Sequence, residues 1–141
     1  MTAKEYLRQL RDLDRILTAK SMEYQNLQTM ATKVNTPLGE NKVQTSPDKS
    51  KNEDLIIKMA ELRDEIQMDI DKYRELLGKI NKQIEELDDI RYRTVLFMRY
   101  VNSMSFREIA EVMNYHEISV IKLHRKALQE FNEKYKVASF G

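Results

Sequence analysis

Apolar residues recur at steps of three and four along most of this chain. Tyr6, Leu10, Leu13, Leu17, Tyr24, Leu27, Ala31 and Val34 form the first such series, and only Lys20 interrupts it. This is the spacing of one face of an α-helix, and the stripe is narrow, closer to a coiled-coil seam than to a broad globular face. Thr2 and Glu5 are placed as a reciprocal capping pair at its start. One long amphipathic helix is therefore predicted over residues 1–34. Residues 35–52, NTPLGENKVQTSPDKSKN, break the pattern with both prolines, a glycine and many short polar side chains. They read as a flexible linker, longer than the few residues that usually join packed helices. A second stripe follows through Leu55, Met59, Leu62, Ile66, Ile70, Tyr73, Leu77, Ile80, Ile84 and Leu87. It predicts another long helix over 53–88, with Glu53 and Asp54 favourable to the dipole at its start. The successive four-residue steps at 62, 66 and 70 depart from a strict heptad and predict local unwinding of any supercoil. Gly78 weakens the helix interior.

Each of these helices exceeds ~45 Å at about 1.5 Å per residue, and each carries a stripe that needs a partner. Two arrangements satisfy both: an antiparallel helical hairpin within one chain, or a coiled coil with the same segments of a second chain, which makes a homodimer. Periodicity alone does not separate them.

Residues 89–136 follow a different plan, a three-helix unit containing a helix-turn-helix. Ser105 and Glu108 form a second reciprocal capping pair. Ile109, Met113, Val120 and Leu123 fall where two short crossed helices need apolar contacts, and Ala110 is small where they come closest. Asn114, followed by Tyr115, occupies the turn; asparagine tolerates the left-handed backbone required there. A last helix is predicted from His116 to Tyr135, with Val120, Leu123, Ala127 and Phe131 inward. Two helices of this size cannot bury a core, so the helix predicted over 90–101 must complete it, through Tyr92, Val95, Leu96, Arg99 and Tyr100. The expected fold class is all-α throughout. A helix-turn-helix usually serves to place its second helix in the major groove, which makes double-stranded DNA the first candidate partner.

Composition narrows the chemistry. With no Cys, disulfides, thiolate metal sites and thiol nucleophiles are excluded. His116 and His124 stand about two turns apart on one helix, too far to share an ion without further ligands. The acidic run Glu85, Glu86, Asp88 and Asp89 points in different directions around a helix and does not converge on one ion. No phosphate loop or nucleophile elbow is present, so neither enzymatic activity nor a metal or cofactor is expected. No apolar run reaches the length of a membrane span and no signal-peptide core is found, so a cytoplasmic protein without a membrane partner is expected. The net charge of +1 conceals an asymmetry. Residues 1–90 carry 15 Lys+Arg against 18 Asp+Glu, a balance of −3, and residues 91–141 carry 9 against 5, a balance of +4. The positive excess coincides with the helix-turn-helix.

In a major-groove docking the first turns of the second helix meet base edges. His116, Glu117, Ile118, Ser119, Ile121 and Lys122 are the outward positions there, with Arg125 and Lys126 beyond. Ser119 and Lys122 can donate to base acceptors, and Glu117 can accept from cytosine N4. Arg125, Lys126 and Arg107 are placed for phosphates, which give affinity and register but no sequence preference.

The stretch RYRTVLFMRYVNSMSFREIAEVMNYHEISVIKLHRKALQEF resembles the fourth conserved region of bacterial sigma factors. There a helix ending in R-Y is followed by S-x-x-E-I-A, a turn, and V-x-x-L-x-x-x-A-L. The whole chain is similar to small sigma-like transcription regulators encoded by prophages of Gram-positive bacteria, which begin in the manner of M-T-A-K-E-Y-L and carry a Ser-Pro linker before a second long helix. The resemblance implies promoter-type DNA recognition and contact with RNA polymerase, with Arg107, His116, Glu117, Ser119, Lys122 and Arg125 facing DNA. Nothing here resembles the aromatic-rich region with which sigma factors melt promoters, so the resemblance implies an activator or accessory factor. Two alternatives stand beside it. One is a DNA-recognition subunit of phage packaging, like a small terminase, which also joins a helix-turn-helix to long oligomerising helices. The other is a helical protein-interaction module.

Overall fold

The computed structural model describes residues 1–35 and 49–137, and every regular element among them is helical. In chain order these are α1 (Ala3–Asn35), α2 (Lys49–Glu85), α3 (Ile90–Leu96), a π turn (Phe97–Val101), α4 (Phe106–Met113) and α5 (Glu117–Tyr135). Among the described residues no helix is long and apolar enough to cross a membrane. The linker expected at 35–52 lies, for residues 36–48, outside the described residues.

Local side-chain chemistry sets the helix starts. Thr2 Oγ1 accepts from the Glu5 amide at 3.1 Å, and the Thr2 amide donates to Glu5 Oε2 at 3.2 Å. Ser105 and Glu108 make the same reciprocal pair, at 3.1 and 3.3 Å, in front of α4. At α3 the Asp89 carboxylate accepts from the Arg91 amide at 2.8 Å. Each cap satisfies donors that the first turn of a helix leaves without partners.

Three boundaries differ by three residues or more from those the sequence suggests. The second long helix starts at Lys49 rather than 53, because the lysines ahead of Asn52 are good helix formers and carry the helix past the capping position. It stops at Glu85 rather than 88: the Leu87 amide bonds the Ile84 carbonyl at 3.1 Å, a tightened last turn that frees Asp89 to cap α3. The helix expected over 90–101 is α-helical only as far as Leu96. Beyond it the Asn102 amide reaches back to the Phe97 carbonyl at 3.0 Å and the Met104 amide to Met98 at 2.9 Å, and Ser103 takes a left-handed φ of 55°. The wider turn still seats Tyr100 in the core. Arg99 then closes the connection, donating to the Met104 carbonyl at 3.0 Å and lying 4.1 Å over the Phe106 ring.

The chain divides into two compact units, residues 1–14 with 73–137 and residues 15–35 with 49–72. The core of the first is not confined to 89–136. Ala3, Tyr6, Leu7 and Leu10 of α1 and Ile80, Ile84 and Leu87 are buried in one cluster with Val95, Leu96, Ile109, Val120, Ala127 and Phe131. Residues of α1 and α2 thus share one core with the segment 89–136. Polar groups fasten the same pieces together. Tyr6 donates to Gln83 Oε1 at 2.7 Å, Tyr135 to the Gln83 carbonyl at 2.7 Å, Arg93 to the Leu87 carbonyl at 2.6 Å, and Lys134 to the Glu86 carbonyl.

In the second unit Leu62 is buried, with Leu17, Tyr24, Ile66 and Ile70 partly so. Lys20, the residue that interrupted the first stripe, has a partner: its ammonium lies 2.6 Å from Asp69 and 3.6 Å from Glu65. The hydrogen bond to Asp69 holds the lysine above its ordinary pKa.

Gly78, in the interior of α2, has open space where a side chain would begin. Gly78→Ala therefore meets no steric cost and is expected to stabilise the protein by roughly 1 kcal/mol, from the helix propensity difference alone. Urea unfolding checks it; a destabilised variant would mean that the glycine serves packing.

Candidate nucleic-acid interface

The local geometry of residues 105–135 follows from the turn at Asn114. Asn114 adopts φ 60° and ψ 45°, left-handed, and its amide bonds the carbonyls of Ala110 and Glu111. The Tyr115 amide reaches the Ala110 carbonyl at 2.9 Å. Together these form the paired hydrogen bonds that end a helix cleanly and redirect the chain. Asparagine reaches this conformation with little strain, and α5 departs from the turn to pack against α3 and α4.

One side of α5 is inside. Val120, Ala127 and Phe131 are fully buried and Leu123 nearly so, as their spacing predicts. His124 joins them at 7% exposure, a position that apolar periodicity passes over because histidine counts as polar. Its Nε2 and the Tyr100 hydroxyl share a hydrogen bond of 2.8 Å, and the Phe106 ring meets it edge-on at 4.9 Å. Burial, aided by the charges of Arg99 and Lys4, pushes the imidazole down to about 4. Burial likewise pushes the Tyr100 phenol up to about 12. Both groups are neutral at physiological pH, and the pair is a structural element of the core.

The other side of α5 faces solvent. His116, Glu117, Ser119, Lys122, Arg125 and Lys126 are all exposed, and so is Arg107 in the first turn of α4. Their arrangement is less uniform than a single face. His116, Ser119, Lys122 and Lys126 line an open concavity of about 770 Å³ together with Arg91 and Tyr92 of α3 and Tyr115 of the turn. Arg107, Glu117 and Arg125 are not part of it. His116 stands just before α5 as its N-cap residue and makes no side-chain capping bond, so it belongs to the turn and not to the helix. Ile121, expected outward, is partly buried.

Arg91 and Tyr92 are members of this surface that sequence pattern did not place there: Tyr92 was expected on the packing face of its helix, and it also lines the concavity. Arg91 was readable only as a charge at the start of a helix. In the fold its guanidinium is forked onto Asp89, with Nε at 3.2 Å and Nη2 at 2.8 Å from the two carboxylate oxygens. The hydrogen bonds from Arg91 hold the Asp89 carboxyl below its ordinary range. The cation is thereby fixed in direction at the edge of the concavity, which is otherwise furnished by Lys122, Lys126, a hydroxyl, an imidazole and two phenols. Such a set offers donors and positive charge to an anionic, hydrogen-bonding partner. No group of three or more metal-binding side chains occurs among the described residues.

A family model described as "Protein of unknown function (DUF1492)" matches residues 33–132 of the chain. No curated protein and no solved structure matches it.

Proposed function

This chain belongs to the DUF1492 family, and we propose that it acts as a sequence-specific DNA-binding transcription regulator, with α4, the Asn114 turn and α5 serving as a helix-turn-helix that docks α5 in the major groove. The observation that carries this is the division of α5 into two sides: Val120, Leu123, Ala127 and Phe131 inside, and Glu117, Ser119, Lys122, Arg125 and Lys126 in solvent. A left-handed turn in front of such a helix leaves its first turns protruding, where base edges would be met. Ser119 and Lys122 donate to bases, Glu117 accepts from cytosine, and Arg125, Lys126 and Arg107 hold phosphates. The resemblance of residues 91–131 to the fourth conserved region of sigma factors gives the same partner, and extends it to contact with RNA polymerase in a phage or prophage regulator.

In this reading the long helices form an antiparallel hairpin. Two pairs support it: Tyr6 meets Gln83 in the first unit, and Lys20 meets Asp69 in the second. A helical interaction module is the second reading, favoured by the exposed Met22, Met30, Ile56, Ile57 and Met68 on those helices. Selection from a pool of random duplexes separates the two. DNA recognition yields one enriched sequence, bound with nanomolar-range affinity that weakens steeply with salt. A pool that stays unenriched contradicts it.

A further inference from the structure

Ile118 is the most exposed large apolar side chain among those described, at 68%, and it lies in the first turn of α5. With about 100° between successive residues, Ile118, Lys122 and Arg125 form one row along the helix, at steps of four and three. That row stands opposite the buried Val120, Ala127 and Phe131, so it is the outermost line of the helix. Ser119 and Lys126 flank it on the side of the concavity. An apolar β-branched group at the apex of an otherwise polar and cationic surface costs solubility and contributes nothing to the core. Lys122, Arg125 and Lys126 outnumber the one carboxylate on this side, Glu117, which disfavours an apolar protein partner and favours a polyanion.

We infer that Ile118 is a specificity-determining residue that packs on the 5-methyl group of a thymine. This rests on the DNA-binding function proposed above and names one base that the site reads. Thymine is the one base that presents an apolar group in the major groove, and apolar side chains discriminate it there by contact with that methyl. Lys122, one turn further along the row, donates to an acceptor on a neighbouring base pair, while Arg125 and Lys126 fix the register on phosphates.

The test uses the full chain and the duplex it enriches most strongly from a random pool. Each thymine is replaced in turn by deoxyuridine, which removes only the methyl group, and affinities are measured for the wild type and for Ile118→Ala. The expected result is one thymine whose replacement weakens wild-type binding roughly fourfold, the scale of one buried methyl group. Ile118→Ala binds the unmodified duplex more weakly by a similar or larger factor and is indifferent to uracil at that position. Ile118 is exposed, so this variant keeps the wild-type melting temperature. If an enriched duplex exists but no thymine is sensitive, or the sensitivity persists in Ile118→Ala, the thymine contact is overturned while DNA binding stands. If no duplex is enriched, both fall together.

Discussion

Phe131→Ala is expected to cost about 3–5 kcal/mol, the range for removing a fully buried phenylalanine. Phe131 is the largest side chain without solvent exposure among the described residues, and its ring has one neighbour from the far end of the chain and one from its own helix. The ring of Tyr6, near the start of α1, lies 6.0 Å away, and that of Tyr135, one turn along α5, lies 4.8 Å away. Removing the ring leaves a cavity in the cluster that Phe131 shares with residues of α1 and α2, whose positions the hydrogen bonds of Tyr6 and Tyr135 to Gln83 help to fix. Urea denaturation measures the loss, with Gln129→Ala, exposed on the same helix, as a control expected within about 0.5 kcal/mol of wild type. Because the same core holds α5 in place, the proposed DNA binding should weaken only where the variant is partly unfolded. A loss below about 1 kcal/mol would mean that the first unit lacks the closed core described above.

The second large effect is acid destabilisation through His124. An unfolded histidine takes up a proton near pH 6.5, whereas in the folded chain burial holds His124 neutral until about 4. Between these values the unfolded state binds the additional proton, so stability rises with pH across the interval. It is present in full above pH 6.5 and falls as pH drops through the window, by about 3 kcal/mol at pH 4. The protonated ring would also meet Arg99 and Lys4, both cationic. Urea unfolding at a series of pH values checks this against His124→Gln, which can still hydrogen-bond Tyr100 but does not titrate. The variant should lack most of the slope between pH 6.5 and 4. Equal slopes would place the acid sensitivity elsewhere.

The features that could be read in advance are those whose cause is local. Thr2 with Glu5 and Ser105 with Glu108 carry their capping geometry within four residues, and both pairs are formed. Asn114 is left-handed because the residues beside it end one helix and begin another. The inward positions of α5 follow from a period of 3.6. What escaped is set by partners far along the chain. Lys20 looked like a flaw in a stripe because Asp69 is 49 residues away. His124 is buried because Tyr100 and Phe106 receive it. The π turn at Phe97–Val101 widens one helical turn, which no composition signal marks. At the candidate interface, residue types and, Ile121 apart, exposure were readable, but the concavity was not. It needs Arg91, fixed by Asp89, to stand beside the first turns of α5.

The solvent side of α5 is proposed to bind duplex DNA. The most direct measurement is the affinity of the enriched duplex at a series of salt concentrations, for the wild type and for Arg125→Ala and Lys126→Ala. The wild type should give a straight, steep fall of log affinity against log salt, and each substitution should make that slope shallower by roughly 0.9, the share of one phosphate contact. Affinity independent of salt, or slopes unchanged by both substitutions, would contradict DNA binding through this face.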